Sequence, residues 1–285
     1  MELESMACQD IIKLSVGGQR MSTRRAVLVQ APRSMLAICF GPTWARHHKL
    51  DFQGHIVLDC EPYCFQQILS FLTHKLCEQP DKPAPQPIIQ QESKADFEAL
   101  VDYLQLKEYM ALTVADFYFA KAAGMSLTQG GHVAKACGFA KACMAAPSMQ
   151  PGRLYYIKCC ISQLMRNAWI FLGVTQLSEP KTNVELDVTS FGWSSFSQYS
   201  AGNWRTADAE SCFAARWQEG DVVVFKVDFM EDVGVLSAWC ARFPHLLSTK
   251  LSSTAKNPYF FHFGAACTGT VQLLAATQED REHFQ

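Results

Sequence analysis

From residue 151 onward the chain is a succession of short apolar runs, spaced too closely to leave room for a long helix. Leu154–Ile161 sets Leu154, Tyr156 and Lys158 against Tyr155, Ile157 and Cys159, the two-residue period of a strand. Asn167–Val174 centres on Trp169-Ile-Phe-Leu172, and Val184–Val188 alternates its apolar side chains with Glu185 and Asp187. Asp221–Val227 carries Val222-Val-Val-Phe225, a run suited to a strand buried on both faces. Val233–Cys240 follows after Phe229-Met-Glu-Asp232, a hairpin-length connection, and Tyr259–Phe263 and Gly269–Leu274 complete the series. Five of the six Trp fall in this region, so large aromatic side chains are available to fill the space between sheets. Strands at this spacing, without a long helix, predict a β-sandwich.

Residues 10–110 have another texture. Ile11-Ile-Lys-Leu-Ser-Val16 places Ile12, Leu14 and Val16 on one strand face. Gly17-Gly18 supplies a tight turn, and the chain returns through Gln19–Met21. Ser22 or Thr23 is expected to cap a short helix over Arg24–Gln30. Pro32 and Arg33 open a second helix over Ser34–Phe40, and Gly54–Asp59 is a third strand. Glu61-Pro62 starts a helix with Phe65, Ile68, Leu69 and Leu72 at helical spacing, and Ala95–Leu106 repeats that spacing with Phe97, Leu100, Val101 and Leu104. Between them, Glu78–Lys94 holds Pro80, Pro83, Pro85 and Pro87, which exclude helix and favour an extended, solvated loop. A passive loop is the expectation, and a polyproline ligand for an SH3-type domain is the alternative.

Residues 111–150 are rich in Ala, Gly and Lys, and Ala134-Lys-Ala-Cys137 is echoed by Ala140-Lys-Ala-Cys143. Good helix formers over Ala134–Ala146, stopped by Pro147, predict a helical linker. The expected organisation is α+β: an α/β domain at 10–110, a linker at 111–150, and an all-β sandwich at 151–285. A chain of 285 residues accommodates two such domains.

The balance of 25 basic against 27 acidic residues argues against a nucleic-acid binder, which carries a basic excess. The N-terminus is acidic and has no apolar secretory core. The apolar run Ile161–Leu172 is interrupted by Arg166, so no membrane span is expected. These features point to a cytoplasmic, intracellular chain whose twelve cysteines stay reduced and mostly serve as small core residues. Signatures of hydrolases, P-loop enzymes, zinc proteases and dinucleotide binders are missing, and no cofactor and no catalytic residue is expected. Glu231-Asp232 reads as a solvated turn, and His47-His48 as a loop tip.

The ordered motifs of the first region resemble the T1-type BTB/POZ domain of potassium-channel-tetramerisation proteins. They are Ile12-Lys-Leu-Ser-Val-Gly-Gly18, Ser22-Thr23 with Leu28, Pro32-Arg-Ser-Met-Leu36 with Phe40, and Gly54–Asp59. Pro62, Phe65, Ile68-Leu69 and Phe71-Leu72 follow, with Ala95–Tyr109 at the position of the closing helices. The loop after Leu76 is longer than the family's, and Cys60 stands where Arg is common. Some channel-type members hold zinc through a His, a Cys and an adjacent Cys pair. Here His74 and Cys77 lie some 80 residues from Cys159-Cys160, too few ligands together, so no metal is expected.

The second half resembles a SPRY (B30.2-like) domain. The similar segments are Gly152-Arg-Leu-Tyr-Tyr-Ile-Lys158, Trp169-Ile-Phe-Leu-Gly-Val174, Gly192-Trp193, Gly220–Asp228, Val233–Ser237 and Pro258-Tyr-Phe-Phe261.

The two resemblances imply a non-enzymatic adaptor. The BTB domain would self-associate into a ring of four or five copies, with Met35, Leu36, Phe40 and Phe65 on elements that relatives use for assembly or cullin-3 contact; for Leu36 and Phe65 burial within the domain is the favoured reading. The SPRY-like domain would recruit a protein target for ubiquitylation. The alternative is an oligomeric scaffold that clusters SPRY sites with no ubiquitin-ligase link. Phe191, Trp193, Tyr199 and Trp204 lie in a stretch mixing aromatics with Ser, Gly and Asn, a composition suited to target binding. Burial in the core competes with that reading for Trp193 and Trp204.

Overall fold

The computed structural model describes residues 11–41, 48–79, 82, 84–112, 115–138, 141–165, 169–180, 189–195, 197–200, 203–206, 216–231, 233–243, 245–251, 257–266 and 268–284. The chain divides into two compact units, Met1–Leu112 and Thr113–Gln285.

In the first unit β1 (Ile11–Val16) and β2 (Gln19–Arg24) form an antiparallel hairpin, and β3 (Ile56–Leu58) pairs with β1 in parallel, giving the order β2-β1-β3. Gly17 closes the hairpin at φ 50° and donates its N–H to the Leu58 carbonyl at 2.9 Å. A Cβ there would stand 2.8 Å from the Cys60 carbonyl oxygen, so this glycine sets how closely the turn approaches the end of β3. Helices α1 (Arg25–Val29), α2 (Met35–Phe40), α3 (Pro62–Leu76), α4 (Lys94–Tyr103) and α5 (Lys107–Ala111) surround the sheet. Ser22 and Thr23 belong to β2, not to a cap: α1 starts at Arg25 with no capping side chain. Strand pairing with β1 claims those two residues. Caps do form where α2 and α3 begin. The Ala37 N–H donates to Ser34 Oγ at 3.0 Å, and the Cys64 N–H to Glu61 Oε2 at 2.5 Å. Leu14 and Val16 from β1, Leu28 from α1, and Ile68 and Leu72 from α3 meet in one core.

Up to Gln90, the described part of the proline-rich segment has no helix, as expected, and it is tied to the domain at its start. Lys75 and Glu78 pair at 2.5 Å with side chains only 3% exposed, and Lys75 also donates to the Leu112 carbonyl. Glu78 Oε1 accepts the Ala84 N–H at 3.0 Å, Ala84 is buried, and Gln86 donates to the Met110 carbonyl.

Among the described residues, the second unit is a sandwich of two seven-stranded sheets. Its strands are β4 (Tyr118–Ala123), β5 (Met125–Thr128), β6 (Val133–Ala136), β7 (Lys141–Ala146), β8 (Leu154–Leu164), β9 (Ile170–Thr175), β10 (Phe191–Ser194), β11 (Ser197–Ser200), β12 (Asn203–Thr206), β13 (Val222–Asp228), β14 (Val235–Cys240), β15 (Leu247–Lys250), β16 (Phe260–Ala265) and β17 (Gly269–Leu274). One sheet runs β12-β11-β10-β9-β16-β7-β4 and the other β15-β14-β13-β8-β17-β6-β5. A short helix, α6 (Gln278–Glu282), follows. The expected strand Val184–Val188 lies outside the described residues.

The helical linker is corrected: its residues form β4 to β7, two strands in each sheet. Gly124, Gly130, Gly131 and Gly138 all adopt positive φ and cut the segment into pieces of four to six residues. Pieces that short gain little from helix propensity, whereas Ala134 and Ala136 alternate with the exposed Lys135 and bury against the sheet.

The core between the sheets is aromatic. Trp193 of one sheet stacks on Phe225 of the other with ring centroids 6.5 Å apart, and Phe225 meets Phe261 at 5.2 Å. On the neighbouring strands β9 and β10, Gly173 faces Gly192 across the pair. A Cβ on Gly173 would lie 2.1 Å from the Phe191 carbonyl oxygen and 2.7 Å from the Phe171 ring. Gly173→Ala is therefore expected to destabilise the protein by about 3 kcal/mol, the upper end of overpacking costs, as a lowered urea midpoint with unchanged slope. In the first unit, Glu78→Gln removes the carboxylate charge that faces the buried Lys75 ammonium, and about 3–5 kcal/mol of loss is expected in the same measurement.

Candidate interaction surfaces

Helix α2 was expected to carry assembly contacts. Its Leu36 and Phe40, and Phe65 on α3, are buried in the first unit's own core. Burial within the domain, the favoured reading for Leu36 and Phe65, describes all three, and Phe40 is corrected from a surface contact to internal packing; α2 packs against α1 at the edge of this core. Met35 is half-buried against the same core. Ile38, on the outer side of α2, is the exposed apolar residue of this helix. The end of α2 is fixed by Arg25, which donates to the Phe40 carbonyl at 2.6 Å, and the Phe40 ring stacks on His48 at 5.1 Å.

The segment from His48 to Ile56 builds a more pronounced surface. Asp51 Oδ1 accepts the Gln53 and His55 N–H groups, each at 2.8 Å, and the His55 ring lies 3.0 Å from Asp51 Oδ2. The His55 amide is the main influence holding the Asp51 carboxyl below its usual pKa. Gly54 completes the turn at φ 80°. This hydrogen-bonded turn holds Phe52 in the solvent, 93% exposed. Leu50 (58%) and Ile11 (68%) are exposed close by, and both line a shallow cleft with Ile12, His48 and Ile56. Ile11 and Leu50 exposed on one cleft, with Phe52 exposed on the adjoining turn, mark a candidate protein contact. Sequence reasoning passed over Phe52, although Asp51-Phe-Gln-Gly54 has the composition of a turn with an aromatic at its second position.

In the second unit, Phe191 and Trp193 are buried, Trp193 with 0% exposure, so both belong to the core and not to a target-binding surface. Strand alternation turns both inward, leaving Gly192 and Ser194 on the other face. The Trp217 indole N–H donates to the Trp193 carbonyl at 3.1 Å. Tyr199 and Trp204 are directly paired on β11 and β12, at the edge of their sheet, and their side chains lie outside the described ones. One end of the opposite sheet is fastened by Arg242. Its Nε and one terminal nitrogen donate to the buried Asp221 carboxylate at 2.5 and 2.6 Å, and that nitrogen also reaches the Arg216 carbonyl. This two-point geometry holds the 216–221 turn in place.

Of the nine described cysteines, Cys64, Cys143, Cys159 and Cys240 are buried, Cys39, Cys60 and Cys160 are half-buried, and Cys77 and Cys137 are exposed. Burial pushes the Cys64 thiol up to about 11 and raises Cys143 and Cys159 as well, so these three stay protonated and unreactive near neutral pH. Among the described residues, no group of three or more His, Cys, Asp or Glu side chains is arranged to hold a metal ion, and no helix is long and apolar enough to cross a membrane.

A model of the BTB/POZ domain matches residues 12–107, from β1 to the start of α5. Residues 12–107 are a BTB/POZ domain. The β-sandwich is similar to the SPRY domain of human HERC1, at 15% identity and a TM-score of 0.46, covering 57% of this chain and 99% of that one. It is also similar to the PSpry domain of TRIM65, at 15% identity and a TM-score of 0.44, covering 61% and 98%. A third likeness is the neuralized NHR1 domain of Drosophila melanogaster, at 13% identity and a TM-score of 0.37, covering 56% and 97%. No curated protein matches the chain significantly.

The BTB core and its exposed patch respond differently to truncation. Leu36→Ala is expected to cost about 2–5 kcal/mol of stability. Phe52→Ala, which removes no packing within the chain, is expected to change stability by no more than about 0.5 kcal/mol in the same thermal melt.

Proposed function

We propose that this protein is a non-enzymatic adaptor. Its BTB/POZ domain joins several copies of the chain, and its β-sandwich binds a protein target. The observation that carries the first half is the exposure of Phe52, Leu50 and Ile11, the first held in solvent by a hydrogen-bonded turn and the other two lining one cleft. A patch of this kind suits contact with a second copy, and head-to-tail contacts that close generate a ring. The four- or five-membered ring and the docking of cullin-3 for ubiquitylation rest on the T1-type resemblance of residues 12–72. A cytoplasmic location follows from the same reading.

The second half rests on the sandwich as a rigid frame with its aromatic residues packed inside. Such a frame presents loops and edge strands to a partner without paying for their order at binding. In this reading the edge pair β11–β12, with Tyr199 and Trp204, carries the target contact.

Light scattering tests the assembly. A mass four or five times 31.9 kDa is expected at micromolar concentration, and Phe52→Asp is expected to lower it while the melting temperature holds. A monomeric mass for the unsubstituted chain defeats the proposal. Co-purification of cullin-3 with the oligomer supports the ubiquitylation role. An oligomer that never retains cullin-3 leaves a scaffold that only clusters its sandwich domains.

A further inference from the structure

The outer face of the sheet β15-β14-β13-β8-β17-β6-β5 carries an aromatic and basic strip that a segment of the same chain covers. Lys158 on β8 is the direct neighbour of Val224 on β13, which in turn neighbours Trp239 on β14, so the three form one row across three strands. In each strand they alternate with residues packed between the sheets: Cys159, Val223 and Cys240 all belong to the core. Residues Thr277–Phe284 are seated on this row. Lys158 Nζ lies 2.9 Å from Asp280 Oδ1. The His283 ring stacks on Trp239 with centroids 3.4 Å apart and planes 6° from parallel. Phe284 meets Tyr156 edge-on at 5.7 Å, and the Arg281 guanidinium stands 5.8 Å from the same ring. Val224, between the two anchored ends of the row, is wholly buried.

The seated segment is short. Its helix α6 spans five residues, far below the length that is stable alone, and its internal support is one capping box between Thr277 and Asp280. Docking uses the Asp280–Lys158 ion pair and the ring contacts of Arg281, His283 and Phe284, and a helix this short, held from outside by side-chain contacts, is suited to open locally while the sheet stays folded.

We infer that the Tyr156–Lys158–Trp239 strip is a docking surface for a short acidic helical turn of a partner protein, and that Thr277–Phe284 occupies it as a built-in competitor. The competitor states the chemistry of the partner. It sets a carboxylate on Lys158, a flat ring three residues later on Trp239, and an aromatic ring after that on Tyr156. This inference deepens the reading of the sandwich as a recognition unit and does not depend on self-association, so monomeric protein would leave it standing.

The test uses the full chain and a fluorescein-labelled peptide copying residues 275–284. An intramolecular competitor lowers apparent affinity by the fraction of time that the site is open. Asp280→Asn, His283→Ala and Phe284→Ala combined are expected to bind the peptide at least tenfold more tightly than the unsubstituted chain, by fluorescence anisotropy. Adding Trp239→Ala should abolish that gain. Hydrogen exchange on the unsubstituted chain gives a readout that needs no substitution: the amides of 281–284 should exchange much faster than those of β8 and β13. Equal peptide affinity with and without the three substitutions overturns the inference. Absence of binding by a triple variant with normal melting overturns it too, as does exchange at 281–284 as slow as in the core strands.

Discussion

The second unit depends on aromatic burial between its two sheets. Trp193, Phe225, Phe261, Phe229 and Tyr259 come from both sheets and meet in one core. Burial of each such side chain is worth about 1.5–3 kcal/mol, so none can turn outward to meet a partner without a loss that few contacts recover. Recognition is thereby confined to edge strands, connecting turns and the outer sheet faces. The close pairing of Gly173 and Gly192 serves the other face of that sheet, where the Phe171 ring packs in the space that side chains on those two residues would take.

The BTB/POZ domain obeys the same logic on a smaller scale. Its helices close over β1 and place Leu36, Phe40 and Phe65 inside, and the buried Lys75–Glu78 pair fixes the start of the proline-rich segment. The most exposed aromatic side chain of the described first unit then sits on a turn. Phe52 is exposed because the Asp51 hydrogen bonds shape the turn without any contact from its ring. Surface chemistry and core stability are therefore separable at this position, which a core residue such as Leu36 does not allow.

The strands from 154 onward were legible because alternation is a direct image of burial: Tyr155, Ile157 and Cys159 all point inward as the pattern implies. The same rule also placed Trp193 in the core, since Phe191-Gly-Trp-Ser194 alternates large with small. Its aromatic and polar composition nevertheless drew it onto the surface, where pattern was the better guide. Residues 118–146 failed in the opposite way. Ala and Lys favour helix in isolation, but the glycines leave pieces too short to use that preference, and sheet partners distant in sequence decide the outcome. Phe52 and the strip beneath α6 were not legible as sites. Their meaning depends on what fails to cover the one and on what happens to cover the other, and neither is a local property of sequence.

An adaptor built this way gains its discrimination from numbers rather than from any single contact. Joining copies through the BTB/POZ domain turns later binding events into intramolecular ones and multiplies a weak affinity by about 10²–10⁴ where the geometry allows. A built-in competitor on each sandwich works against that gain once per copy. Isolated partner segments then meet a site that is mostly occupied. A partner that presents several such segments displaces several competitors and collects the avidity that a single segment cannot. The weakness of α6, with its five residues and few ring contacts, suits such a balance: a longer or better-packed helix would close the surface to every partner.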